Sequence, residues 1–300
     1  MAALPLLALV LVSAFWGGHA VVGKAVEHQL PPLQLTVWRF TLGALFYLPL
    51  YPRFRHIFRL PRKAFWQLAL SGLAWAVLYP LFYYHSLDRL APVQSLLLVN
   101  TSPFLAALFG WAFLRERPGK WQWIGILVSF FGVVVMVAGQ WSGRLSVHGV
   151  LFALIAAAAF ALYTVTSRSL FQTLPLFDVL LSTSVWGALL LWIYTLVTGQ
   201  GRVVATALGS LSAQGWIQFS YIVLIVSTVS YVLYGYGLRR LPAGISSALT
   251  FYPQAIFAAL IQWIALGLVP TWQTAVSAVF ILGGTALMRF PMRVRATEVV

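Results

Sequence analysis

Apolar residues run along this chain in blocks of about twenty, broken by short polar or basic corners. Blocks of that length suit helices that cross a hydrocarbon layer. They predict ten spans, at 3–23, 34–52, 65–86, 91–113, 121–139, 147–169, 178–197, 214–237, 242–267 and 272–290. A membrane β-barrel would instead alternate over stretches of about ten residues. That alternation is absent, so an all-α fold is expected. The first block, Leu4 to Val22, has the apolar core of a secretory signal, but no Lys or Arg precedes it and no polar segment closes it. It is read as a retained first helix.

One stretch, Tyr79 to Phe104, is echoed about 150 residues later at Val232 to Gln254. Both have an aromatic run-up, a Leu-x-Arg-Leu corner, a Ser at the same offset (Ser95, Ser246) and a mid-run proline (Pro103, Pro253). Trp121-Gln122 pairs with Trp272-Gln273, and Gly132 with Gly283, in the same way. The chain therefore divides into two copies of one unit, 1–142 and 143–300, with the boundary near Gln140 to Ser146. Five spans per copy is an odd number, which turns the second copy over in the membrane. Inverted repeats of this kind can exchange an inward-open for an outward-open arrangement.

Composition leaves lipid as the only plausible solvent. Hydrophobic residues make up 61% and charged residues 8%, with a mean hydropathy of +0.89. A soluble domain would carry about a quarter charged residues. The net charge of +14 does not point to nucleic acid, because the charges lie between apolar runs. There they report topology. With the N-terminus in the cytoplasm, the inner side holds 14 basic residues: Arg53, Arg55, Arg59, Arg62, Lys63, Arg115, Arg117, Lys120, Arg168, Arg239, Arg240, Arg289, Arg293 and Arg295. The outer side holds 4, Lys24, Arg89, Arg144 and Arg202. Both termini are thus expected in the cytoplasm. The absence of Cys removes thiol chemistry and thiolate metal sites.

Several motifs resemble the EamA family of the drug/metabolite transporter superfamily: Phe15-Trp16-Gly17, Pro31-Pro32 leading to Arg39-Phe40, the Leu-x-x-Leu-x-Pro corner, and Arg115-Glu116-Arg117 followed by Gly125 and Gly132. The resemblance extends over both copies. Within the family, the aromatic-rich spans are most similar to the YddG-like exporters of aromatic and other neutral amino acids. It implies ten helices in inverted repeats, export of small metabolites, and residence in a bacterial inner membrane. One departure stands out. The family's Glu after the fourth span is Glu116, but the second copy has Gly267-Leu268 at that place.

All five acids, Glu27, Asp88, Glu116, Asp178 and Glu298, fall in loops, at span ends or in the tail. No carboxylate is then left at the bilayer centre to carry a coupling proton or bind sodium. Either a histidine such as His19 does so, or the protein is a facilitator, which is the reading preferred. Arg39 opens the second span and is read as snorkelling to the interface, with a substrate carboxylate as the alternative. Trp66, Trp121, Trp123, Trp216 and Trp272 read as an interfacial belt.

Tyr79 and Tyr163 are too central for that belt, Tyr83 lies one turn on from Tyr79, and Tyr231 and Tyr234 lie where symmetry repeats that pair. Aromatic walls with a few hydroxyls suit an apolar or aromatic side chain. Plain helix packing is the competing account. Asn100 and Ser102 are echoed by Ser246 and Tyr252 beside Pro103 and Pro253, prolines expected to break their helices and free a carbonyl one turn earlier. Trp16, His19 and these residues are the expected cavity lining, although small polar residues in membranes also serve simply to bind helices together.

The expectation is a monomeric membrane transporter of small molecules, without cofactor, metal or nucleic-acid partner. A drug or other metabolite exporter of the same superfamily, proton-coupled or not, is the alternative. An intramembrane enzyme is a distant rival, since paired mid-span Asp residues and a Ser–His motif are both lacking.

Overall fold

The computed structural model describes residues 3–50, 60–90, 92–138 and 146–288. Arg53, Arg55, Arg59, Arg144, Arg289, Arg293 and Arg295, most of the boundary at Gln140 to Ser146, and the last residues of the span expected at 34–52 lie outside the described residues. Within them the chain is helical and has no strand. The long helices are α1 (Ala3–Glu27), α2 (Pro32–Tyr47), α3 (Arg62–Leu87), α4 (92–114), α5 (Lys120–Ala138), α6 (Val147–Thr173), α7 (Leu176–Val197), α8 (Ala213–Arg240), α9 (Ala243–Leu266) and α10 (Trp272–Leu287). A short helix, Gly201–Thr206, links α7 to α8.

Seven of them, α1, α3, α4, α6, α7, α8 and α9, are long and apolar enough to cross a membrane. The 16-residue α2 and the apolar stretches Lys120–Met136 and Trp272–Leu287 fall short of that length. The outside of the bundle is apolar, with Ile264 83% and Val197 82% exposed. Trp66, Trp121, Trp216 and Trp272 are exposed as well.

The ends of the helices follow from local chemistry. Pro31, Pro61, Pro175 and Pro242 stand at the N-caps of α2, α3, α7 and α9. A missing N–H costs nothing there, because the first turn has no carbonyl to receive it. At α6 and α8 the caps are Ser146 and Ser212, whose hydroxyls accept from the N–H of Gly149 (3.4 Å) and Gly215 (3.1 Å). At their far ends α4 and α9 both stop on a left-handed residue, Arg115 (φ 54°) and Gly267 (φ 69°).

The mid-helix prolines behave differently from each other. α4 is interrupted by a turn at Asn100-Thr101 just before Pro103. α9, by contrast, runs through Pro253 without interruption. Pro253 leaves the Leu249 carbonyl without its helical donor, and Ser13 of α1 donates to the neighbouring Thr250 carbonyl (2.9 Å).

α3 and α8 share another irregularity. Each widens into π-helical turns, at Leu73–Leu78 and Ile222–Val229. In α8 the loosened backbone is tied off by side chains. Thr228 and Ser230 donate to the carbonyls of Val223 (2.9 Å) and Ile225 (2.8 Å), and Tyr47 of α2 donates to that of Thr228 (2.8 Å). Such widenings are frequent at functional sites.

The principal packing partners are α1 with α8 and α9, α6 with α3 and α4, α2 with α7, α5 with α10, α4 with α9, α3 with α7, and α2 with α8. Exchanging α1–α5 for α6–α10 maps this set onto itself. α5 and α10 meet on glycine. A Cβ at Gly284 would stand 2.3 Å from Ser129 Oγ and 2.6 Å from the Gly125 carbonyl. Gly283, its neighbour in sequence and the repeat counterpart of Gly132, has nothing within 4 Å of a Cβ placed there.

At one end of the bundle Glu116 and Arg168 form an ion pair with both side chains close to 90% buried, at 11% and 12% exposure. Arg168 Nε donates to Glu116 Oε1, and Nη1 donates to the carbonyls of Leu238 and Leu241. Glu116 Oε2 accepts from the N–H of Ala243 (2.9 Å). Arg168 thus joins α6 to the ends of α4, α8 and α9, where the sequence had suggested only a topology-setting charge.

Candidate functional site

The centre of the molecule is built around Trp75, in the widened turn of α3. Its ring stacks on Tyr79 (5.2 Å between centroids) and Tyr163 (5.1 Å). It meets Phe160 (5.2 Å) and Tyr231 (5.4 Å) edge-on. Trp16 of α1 closes one side, stacked on Trp75 at 6.4 Å and edge-on to Phe251 of α9 at 5.9 Å. Tyr83 continues the column from Tyr79 at 6.1 Å, with the two rings nearly parallel. Contacts at these separations and tilts are favourable beyond the area they bury.

A pocket opens beside this column. It is lined by Arg39, Phe40 and Gly43 of α2, Trp75 of α3, Tyr163, Ser167 and Phe171 of α6, Val179, Leu180, Thr183 and Ser184 of α7, and Ser227 and Tyr231 of α8. Both halves of the chain contribute, and both widened helices border it. Ser167 is already engaged, sharing a hydrogen bond with Ser71 at 2.8 Å.

Arg39 takes a place different from the one read in the sequence. α2 starts at Pro32, so Arg39 stands two turns into the helix, and its guanidinium lies over Phe40 (5.2 Å) and Trp75 (5.9 Å). It therefore faces the aromatic column. Its Nε is buried and makes no hydrogen bond, and no ion pair to Arg39 occurs among the described residues. His19 and Tyr231 are within electrostatic range of the same guanidinium. Two pocket hydroxyls, Thr183 Oγ1 and Ser227 Oγ, are likewise buried without a hydrogen-bond partner.

Of the residues singled out from sequence, Trp16, Tyr79, Tyr163 and Tyr231 come together around Trp75, with Tyr83 next in line. His19 lies on α1 with a buried Nε2 that has no hydrogen-bond partner. Asn100, Ser102, Ser246 and Tyr252 are buried in α4 and α9 but do not line this pocket. Pro103 is buried on α4 and Pro253 on α9. Trp75, Thr183 and Ser227 carried no signal that the sequence reading used. For Trp75, α3's long run of aromatics was the available hint.

Comparison with known proteins agrees with a membrane carrier. The model of the EamA-like transporter family matches residues 3–138 and again 147–290. The uncharacterized transporter YwfM of Bacillus subtilis (strain 168) is 28% identical over 255 residues, covering 80% of this chain and 78% of its own. A protein of Salmonella typhimurium named a probable amino-acid metabolite efflux pump is 25% identical over 296 residues, 96% of this chain and 95% of its own. A crystal structure covering 94% of this chain and 95% of its own superposes with a TM-score of 0.78 at 20% identity, a likeness of fold alone.

Proposed function

The chain belongs to the EamA-like transporter family, a family of multi-pass membrane carriers, and on that premise we propose that it exports small amphipathic metabolites, chiefly aromatic and other neutral amino acids or their derivatives, by alternating access. The observation that carries this reading is the aromatic pocket at Trp75, shared between the two halves and bordered by both widened helices. A wall of Trp75, Tyr163 and Tyr231 suits a planar or branched apolar side chain. The name given to the Salmonella relative is in keeping with such a cargo.

In this reading all ten helices cross the bilayer as two inverted five-helix units, about 1–142 and 143–300, with both termini in the cytoplasm. The packing list that survives exchange of the halves supports the repeat, and the basic residues crowded on one side support the orientation. Trp16, His19, Tyr79, Tyr83, Tyr163 and Tyr231 form the wall that cargo passes. Asn100, Ser102, Ser246 and Tyr252, beside Pro103 and Pro253, supply polar contacts further along α4 and α9. The protein acts as a facilitator, working as a monomer in a bacterial inner membrane.

Uptake of labelled phenylalanine, methionine and threonine into proteoliposomes, with and without an imposed proton gradient, tests this. Equilibration that ignores the gradient and falls with Tyr79→Ala or Tyr163→Ala is the expected result. Uptake that requires the gradient overturns the facilitator and turns attention to His19. No movement of any amino acid removes the cargo.

A further inference from the structure

Three buried polar atoms at the pocket have no hydrogen-bond partner in the protein: Arg39 Nε, Thr183 Oγ1 and Ser227 Oγ. Arg39 is half-buried, so its charge is drawn partly out of water with no counter-charge beside it, and a buried hydroxyl without a partner costs about 1–3 kcal/mol. Held beside one cavity, the three atoms favour an occupant that can bond to all of them. Arg presents a planar fork of donors matched to a carboxylate, and the two hydroxyls can each add a donor. Trp75, Tyr163 and Phe171 add aromatic surface to the same lining.

We infer that the pocket is a carboxylate-reading site, in which Arg39 anchors the acid group of an amphipathic substrate with Thr183 and Ser227 beside it, while the apolar remainder lies on the aromatic column. No Asp or Glu lines the pocket among the described residues. A substrate ammonium group would therefore meet the Arg39 cation and no matching anion. The recognised class is the small carboxylate with an apolar or aromatic tail. The amino group is dispensable, and simple amines are rejected. This rests on the transport reading above and narrows its cargo.

The test compares phenylalanine, 3-phenylpropionate and phenethylamine as stabilisers of the purified full-length protein in lipid nanodiscs, followed by thermal unfolding. Wild type should be stabilised by both acids, at least as strongly by 3-phenylpropionate, and not by the amine. Arg39→Gln should weaken the response to the acids about ten- to hundredfold in midpoint concentration, with Arg39→Lys in between. Stabilisation by phenethylamine equal to that by the acids overturns the anchor and leaves transport standing. So does an undiminished response in a folded Arg39→Gln. An absent response to all three, when liposomes still take up phenylalanine, also overturns the site. If uptake is absent too, the cargo reading falls with it. Because the ligand comparison is made on wild type, it decides the matter even where Arg39→Gln does not fold.

Discussion

Arg168 of α6 donates its Nε to Oε1 of Glu116, 52 residues earlier, and spends Nη1 on two carbonyls at the end of α8. Breaking a buried ion pair from one side leaves the other charge uncompensated, at a cost of about 3–5 kcal/mol. Glu116→Ala should therefore lower the unfolding temperature of the detergent-solubilised protein markedly. Glu116→Leu combined with Arg168→Met should cost clearly less than the sum of its single changes. Additive losses would mean that the two side chains act independently.

Neighbouring glycines on α10 should respond in opposite ways. Gly284→Ala puts a methyl within 2.6 Å of the Gly125 carbonyl, an atom that cannot move aside cheaply. Overpacking of this kind costs about 1–3 kcal/mol. Gly283→Ala meets nothing within 4 Å and should be neutral or stabilising by up to about 1 kcal/mol, since Ala is the better helix former. Thermal unfolding of the two variants side by side checks the contrast.

Trp75 joins more rings than any other pocket residue, and Phe can fill only part of its volume. Aromatic pairs contribute about 0.5–1.5 kcal/mol beyond burial, so Trp75→Phe should raise the half-saturating concentration for phenylalanine uptake about three- to tenfold. Trp75→Ala, which opens a cavity worth about 3–5 kcal/mol, should reduce the amount of folded protein as well. Unchanged uptake kinetics in Trp75→Phe would remove the column from the transport path.

The chain has no cysteine, so single substitutions report topology without background. Arg117→Cys and Arg202→Cys lie on opposite sides if the helices cross as proposed. A membrane-impermeant maleimide added to intact spheroplasts should label position 202 and spare 117. Labelling of both in sealed cells would contradict the inverted arrangement.

Much of the bundle was legible because its signal is collective. Twenty-residue apolar blocks and repeated corners predict helices whether or not any one residue is understood; Tyr79 and Tyr163 stand out by their depth within those blocks, and Tyr231 by the repeat. The pocket's polar pole was harder to see. Thr183 and Ser227 look the same in sequence as Ser13 or Ser129, whose hydroxyls simply bond to neighbouring helices. A span beginning at residue 34 puts Arg39 near its start, where snorkelling is the default; the helix starts at Pro32, and the guanidinium lies over Phe40 of α2 and Trp75 of α3. Glu116 gave no hint of its partner, since a contact between distant helices leaves no periodic trace. The interruption of α4 and the continuity of α9 also could not be told apart, because each sequence carries a proline at the matching place.

The widened turns of α3 and α8 bear on the chain's tolerance of deletions. A π turn lets a helix absorb an added residue locally, whereas elsewhere each residue lost swings everything beyond it by about 100°. Removing one residue from Leu73–Leu78 or Ile222–Val229 would restore ordinary winding and leave the flanking faces on their present neighbours. The same removal a few positions away would turn Tyr79 or Tyr231 off the central column. The two halves thus carry matching slack beside the pocket, where a change in chain length could alter the cavity and spare the bundle.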